Sequence, residues 1–278
     1  LNAAPPASPP DGGRLESLLE SDPFVTRLIV LESVDSTNAE LRRLASAGAP
    51  EGTVVVAGRQ SAGRGRRGRT WYSEPGLGLY LSLLLRPCGE AREATRWTVA
   101  ASVAACGACR CHCGNGAVIK WPNDVMFEGR KLGGILVEMR SAGGRPQDLV
   151  VGIGLNVNHR ADDFPPELRE AATSLHLATG RGMLELEPVA AGLLARLGEA
   201  AARLAQGEWD GVVGDWERLA PAARGCRVKV LGGPGEGAER EAFEGITRGL
   251  DADGALRVER RDGRIVPVRL AESVAVVR

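Results

Sequence analysis

Arg64, Arg66, Arg67 and Arg69 are interleaved with Gly63, Gly65 and Gly68 in a chain of 278 residues whose 35 basic and 35 acidic side chains cancel. Glycines let successive backbone N–H groups turn toward one anion, and guanidinium groups match phosphate or carboxylate geometry. With zero net charge overall, this concentration is local, and it argues against a general nucleic-acid coat or a basic membrane-surface protein. Arg-Gly runs also occur as solvated loops and in disordered RNA-binding tails. Here apolar runs of buried-strand length, Thr53 to Ala57 and Leu79 to Leu85, flank the segment. It therefore reads as a loop inside a folded domain, built to hold a small anion.

Two further segments carry chemistry. Lys120-Trp121-Pro122-Asn123-Asp124 offers an amide, a carboxylate and an aromatic face at one turn, and Lys131 follows seven residues past Asp124. A hairpin through Glu128-Gly129-Arg130 would set Asp124 and Lys131 on adjacent strands, while Gly133 and Gly134 leave room for a ligand. A surface Lys-Asp pair beside a bulge explains the same residues. In Val151-Gly152-Ile153-Gly154-Leu155-Asn156, a strand would put both glycines and Asn156 on one face, hollowing it. Core packing is the competing account, since no third glycine opens a helix as in a dinucleotide fingerprint.

The elements that must position these groups follow from patterning. Strands are expected at Arg27 to Leu31, Thr53 to Ala57, Leu79 to Leu85, Ala117 to Trp121, Val125 to Phe127, Lys131 to Glu138 and Leu149 to Ile153. Thr37 and Glu40 have capping-box spacing for a helix that Gly48 ends, and helices are expected from Ala91 to Arg110 and over most of 165–219. From Arg224 onward short alternating segments between Gly- and Asp-rich turns read as a small β-barrel. The expectation is an α+β protein: a flexible tail over 1–24, a mixed-sheet domain over 25–222 and a barrel over 223–278. No apolar run reaches the roughly 18 residues of a membrane span, and residues 1–13 lack a signal-peptide pattern, so a cytoplasmic protein is expected. Cys106, Cys109, Cys111 and Cys113 crowd a helix end; they could take up a soft metal, but no second ligand pair of zinc-ribbon spacing follows, and no metal site is assigned. Cys88 and Cys226 are expected to stay unpaired.

Five segments in order resemble the motif series of biotin protein ligases: Glu32 to Asn38, Gln60 to Trp71, Lys120 to Asp124, Arg130 to Glu138 and Gly152 to Asn156. Gly245 to Asp251 and Gly254 to Leu256 are similar to that family's C-terminal module, so the likeness runs from about residue 28 to the end. It implies a biotin/lipoate-ligase-type catalytic domain with a C-terminal SH3-like barrel. It also implies ATP and biotin as substrates with Mg²⁺, and a two-step reaction: biotinyl-5′-AMP forms, then biotin passes to a lysine of a carboxylase carrier domain. By the same resemblance Ser36, Thr37, Asn38 and Gln60 would bond the ureido ring, and Gly63, Arg64, Gly65 and Arg66 would close over biotin. Trp71 would form a wall, with Gly152 and Gly154 the floor. Lys131 would bridge the biotin carboxylate and the α-phosphate. Arg64, Arg66, Arg67, Asn123, Asp124, Lys131, Asn156 and Lys229 would face the nucleotide, with Lys131, Asp124 and Arg66 catalytic and Asp124 assisting deprotonation of the acceptor lysine.

Repressor-type members carry an N-terminal winged helix, whereas the first strand here is expected at Arg27, so the resemblance implies a monofunctional ligase that binds no operator DNA through its own domain. It leaves open whether the chain forms a homodimer. A lipoate or octanoate ligase is the rival within enzymes; the arginine loop and the polar set at Ser36, Thr37 and Gln60 favour a ureido ring over an alkyl chain. A nucleic-acid module is the rival from another class, and zero net charge with few aromatics speaks against it.

Overall fold

The computed structural model describes residues 9–20, 22–86, 93–142, 145–231, 242–269 and 273–277. In chain order the regular elements are α1 (Gly12–Leu19), β1 (Arg27–Leu31), α2 (Thr37–Ser46), β2 (Thr53–Ala57), β3 (Gly78–Leu85), α3 (Glu93–Cys113), β4 (Ala117–Lys120), β5 (Asp124–Phe127), β6 (Arg130–Ala142) and β7 (Arg145–Asn156). They continue with α4 (Leu175–Thr179), α5 (Leu186–Ala205), α6 (Trp209–Leu219), β8 (Arg224–Leu231), β9 (Phe243–Leu250), β10 (Leu256–Arg260), β11 (Ile265–Val268) and β12 (Ser273–Val276).

Seven strands form one mixed sheet in the order β1-β2-β3-β7-β6-β5-β4, with β1 and β2 parallel and the other pairs antiparallel. Every residue of β2 and β3 is buried, as expected of central strands covered on both faces. Alternation sorts their side chains. Val55, Leu84 and Val150 face α2 through Leu41 and Ala45. Val54, Val56, Leu83 and Val151 join the larger core shared with α3 and α5. Helix α5 buries Leu186, Val189, Ala190, Leu193, Leu194 and Leu197, the i, i+3, i+4, i+7 stripe that a helix on a sheet requires.

The expected tail is partly structured. Residues Gly12–Leu19 are helical because Leu15 and Leu19, four apart, bury on one face, and Asp11 caps the helix by accepting from the Arg14 N–H. The chain is pinned to α5 as well, with the Asp11 N–H donating to Glu187 at 2.7 Å. The expected capping box also differs: Ser36 is the N-cap residue of α2, and Thr37 already lies inside the helix with its hydroxyl directed elsewhere. Helix α3 runs on through Cys113, carrying the cysteine cluster within it; Cys106 and Cys109 are buried, and these two, Cys111, Cys113 and Cys226 are all free thiols. Cys88 lies outside the described residues.

The C-terminal strands pair antiparallel in the order β11-β10-β9-β8-β12. Among the described residues no ladder joins β11 to β12; each has four residues and a single neighbour, so this is a five-stranded sheet with two edges. No described helix is long and apolar enough to cross a membrane.

Candidate active site

A cavity of about 360 Å³ opens on the large sheet, with the arginine loop along one side, α2 at one end and the β4–β5 turn at the other. Fifteen of the expected residues line it: Ser36, Thr37, Asn38, Gln60, Arg64, Gly65, Arg66, Arg67, Trp71, Asn123, Asp124, Lys131, Gly152, Gly154 and Asn156.

The Asp124–Lys131 pair depends on backbone geometry that spacing alone does not supply. Glu128 and Gly129 both have positive φ, as in a two-residue primed hairpin turn, and join β5 to β6. Asp124 pairs with Gly134 and Val125 with Gly133, but Met126 pairs with Lys131, so Leu132 is an extra residue in the ladder. Cross-strand partners share a face. The two-residue turn sets Lys131 opposite Met126, on the face of β5 that also holds Asp124, and the Lys131 ammonium reaches the Asp124 carboxylate at 2.5 Å; the bulge then places Gly134 rather than Gly133 opposite Asp124. The Lys131 backbone is clamped too, its N–H donating to the Ala171 carbonyl and its carbonyl accepting from the Thr173 N–H.

The glycines act by close approach. A Cβ on Gly152 would fall 2.1 Å from Asn38 Oδ1, and one on Gly154 would fall 2.5 Å from the Trp71 indole. The hollowed face of β7 is therefore the floor on which Asn38 and Trp71 rest. Gly63 lies outside the cavity wall; a side chain there would strike the Trp71 carbonyl at 2.5 Å, so its bareness lets the loop fold back on itself. That fold-back is hydrogen-bonded: Trp71 N–H donates to Gly63 and Gly65 N–H to Arg69, with Arg67 in the left-handed region at φ 59.

The cationic end is crowded. Arg66, half-buried, donates to Asn123 Oδ1 at 3.3 Å, and Asn123 in turn donates to the Ile135 carbonyl. Burial, reinforced by repulsion from Arg67, lowers the Arg66 pKa, with Asp124 acting in the opposite sense. An anion arriving here would relieve that repulsion. Asn156 uses its amide to brace backbone, donating to the carbonyls of Thr173 and Lys131.

Lys229 stands apart. It pairs with Ala275 in the register that places Val230 opposite Val274. Val230 and Val274 are buried and Val274 lines the cavity, so the exposed Lys229 occupies the other face of β8. Lys229 thus does not line the cavity, because strand parity turns it to the other face of β8.

Sequence reasoning missed the far wall, formed by Phe164, Leu168, Ala171 and Ala172. Phe164 stacks on His159 with ring centroids 4.7 Å apart. His159 is fully buried, neither ring nitrogen has a hydrogen-bond partner, and burial pushes its pKa down to about 4. The unfolded chain takes up that proton near the ordinary value of 6.5. The neutral ring's contribution is therefore complete above pH 6.5 and is lost as pH falls toward 4, a swing of up to about 3 kcal/mol. Urea unfolding of the wild type and His159→Phe at about pH 7 and about pH 4.5 should show stability falling more steeply with acid in the wild type.

Residues 30–156 match the profile of the biotin/lipoate A/B protein ligase family. The biotin–[acetyl-CoA-carboxylase] ligase of Mycobacterium tuberculosis is 32% identical over 262 residues, covering 89% of this chain and 88% of that protein. The chain belongs to the biotin protein ligase family. A biotin protein ligase from Aquifex aeolicus, solved in complex with biotin and ATP, superposes with a TM-score of 0.74 at 30% identity, covering 91% of this chain and all of that one. The bifunctional ligase/repressor BirA of Bacillus spizizenii is 42% identical over 162 residues, and there the match spans 58% of this chain and only half the length of the Bacillus protein. The ligase fold, mixed α+β with a mixed sheet, is thus common to this chain and its relatives.

Proposed function

We propose that this member of the family is an ATP-dependent biotin protein ligase. It would join the biotin carboxylate to the α-phosphorus of ATP and then pass the biotinyl group to a lysine of a carboxylase carrier domain. The observation that carries this reading is the polarity of the cavity: Ser36, Thr37, Asn38 and Gln60 offer uncharged hydrogen-bonding groups at the α2 end, where Arg64 is paired with Glu138, and Arg66, Arg67 and Lys131 gather at the other. A ligand with a neutral polar ring at one end and a carboxylate at the other fits that gradient, and the carboxylate is delivered where a triphosphate would also be held.

In the first step a carboxylate oxygen of biotin attacks the α-phosphorus and pyrophosphate leaves. Negative charge accumulates on two approaching anions, and Lys131, positioned by the hairpin turn and its backbone clamp, supplies fixed positive charge between them. Arg66 and Arg67 would take phosphate oxygens, and Arg64 would close over biotin. Ser36, Thr37 and Gln60 would face the ureido ring, and Trp71 would cover it above the floor of Gly152 and Gly154. In the second step the acceptor's ε-amine attacks the acyl carbon, AMP leaves, and Asp124 is the carboxylate placed to receive the amine's proton. Lys131 at 2.5 Å from Asp124 would hold it for that role.

Among the described residues no group of three His, Cys, Asp or Glu side chains is placed to hold a metal ion. Mg²⁺ needs no such cage, because it commonly rides on substrate phosphates with water completing its shell. Asn123 and Asp124 are the oxygen donors at that end of the cavity, and the ion would supply charge neutralisation there. The five-stranded C-terminal sheet would complete an SH3-like barrel, and Val274 is its contribution to the cavity wall.

Biotin-dependent exchange of label between pyrophosphate and ATP tests the reading. Exchange should require Mg²⁺, occur with biotin and be absent with lipoate. Exchange with lipoate alone would keep the fold and overturn the substrate; exchange with neither would overturn the adenylation chemistry.

A further inference from the structure

Behind the neutral end of the cavity lies a run of hydrogen-bonding side chains that ends, on both sides, in groups able only to accept. At one end the Ser73 hydroxyl donates to the Trp71 carbonyl at 3.2 Å and accepts from Gln60 Nε2 at 3.1 Å. That orients Gln60 Oε1 toward α2, where the Thr37 N–H donates to it at 2.9 Å. At the other end Asn38 Nδ2 donates to the Glu138 carboxylate at 2.8 Å and to the Leu136 carbonyl at 3.3 Å. Asn38 Oδ1 must then face Ser82, and it lies 2.6 Å from the Ser82 hydroxyl oxygen.

The protons can be assigned from there. A serine hydroxyl has one proton, and two oxygens 2.6 Å apart need one between them. The Ser82 proton is therefore committed to Asn38. Ser82 also lies 2.8 Å from Thr37 Oγ1, a contact that Thr37 must then serve with its own proton. Thr37 Oγ1 and Gln60 Oε1, 3.1 Å apart on the cavity wall, are left facing each other with lone pairs and no proton between them.

We propose that Glu138 and Ser82 are positioning residues that set the direction of this relay, so that Thr37 and Gln60 together present an acceptor pair to the cavity and select a ligand carrying an N–H. The inference rests on the ligase reading, in which that N–H belongs to the ureido ring. Asn38, whose amide is engaged by Ser82, Glu138 and Leu136, braces the relay from behind. Reversal of the relay would weaken the selection: with Asn38 flipped, Ser82 would donate to Thr37 and Thr37 to Gln60, satisfying Gln60 from within and leaving Thr37 one free lone pair. The carboxylate at Glu138, with the more distant Leu136 carbonyl beside it, forbids that flip, because it would set acceptors against each other.

Titration calorimetry with biotin and with its two mono-N-methylated ureido analogues tests the relay in the wild type, Glu138→Gln and Ser82→Ala, with ATP binding measured alongside. The Glu138→Gln substitution introduces an amide N–H that can serve a flipped Asn38, leaving only the longer Leu136 contact against the flip, and Ser82→Ala frees the Thr37 proton for Gln60. In the wild type, methylating the nitrogen that faces Thr37 should weaken binding about a hundredfold, as expected of a site left with unpaired acceptors. In both variants biotin should bind about tenfold more weakly, the methylation penalty should shrink by about the same factor, and ATP binding should not move. An undiminished methylation penalty in both variants would overturn the relay while leaving the ligase reading intact. Absence of biotin binding by the wild type would overturn the ligase reading and take this assignment with it.

Discussion

Replacing Lys131 with alanine should lower the rate of biotin-dependent ATP–pyrophosphate exchange about a thousandfold, equivalent to ~4 kcal/mol of barrier. The effect is large because the substitution does more than remove a cation. Asp124, now 2.5 Å from the Lys131 ammonium, would be left as an unpaired carboxylate in the space where two anionic substrates must meet. At an effective dielectric of about 20, a unit charge about 4 Å from another contributes about 4 kcal/mol of attraction or repulsion. The fold should survive, since both side chains are partly solvated and the backbone clamp from Ala171 and Thr173 does not use the side chain. Exchange assays combined with a thermal melt check both halves, and near-normal exchange by Lys131→Ala would refute the assigned role.

Gly152→Ala should be the most damaging single methyl in the site. The new carbon would stand 2.1 Å from Asn38 Oδ1, and Asn38 cannot yield, because Ser82, Glu138 and the Leu136 carbonyl hold it on three sides. Overpacking at a braced position costs about 1–3 kcal/mol, so both folding stability and biotin affinity should fall. Gly154→Ala is the informative contrast. Its methyl would meet Trp71 at 2.5 Å, but that indole is partly exposed and its N–H has no hydrogen-bond partner, so the ring is free to turn aside. Urea unfolding should therefore separate the two: a shifted midpoint for Gly152→Ala and a nearly unchanged one for Gly154→Ala, with biotin binding weakened in both. Equal midpoints would show that Asn38 is free to move.

What could be read in the chain and what could not divides along a physical line. Strands β2 and β3 are continuous apolar runs, and the Glu128-Gly129 turn is local chemistry, so their positions were evident from neighbouring residues. The glycines of β7 announced a hollow face, but not that Asn38 and Trp71, from distant segments, would fill it. The bulge that sets Gly134 opposite Asp124 leaves no mark in composition, because a register shift is decided by the whole ladder. Helix α1 was hidden for a related reason: its two leucines gain meaning only against the sheet and α5. Ser82 and Glu138 looked like ordinary strand residues, and Phe164 like loop, until long-range pairing set them beside the cavity. Lys229 shows the converse, since likeness to a basic position cannot reveal which face of β8 it occupies.

The spacing from Asp124 to Lys131 also governs how the hairpin can change over evolutionary time or in the hands of an engineer. Because successive strand residues point to opposite faces, deleting one residue of β5 between Asp124 and the turn would set the carboxylate on the face away from the lysine, with both members of the pair still present in the chain, whereas deleting Leu132 would leave a regular ladder with Lys131 still opposite Met126. Changing the turn by two residues would preserve the pairing. The spacing within this motif is thus inherited as a parity rule, one that a comparison of residue identities would not detect.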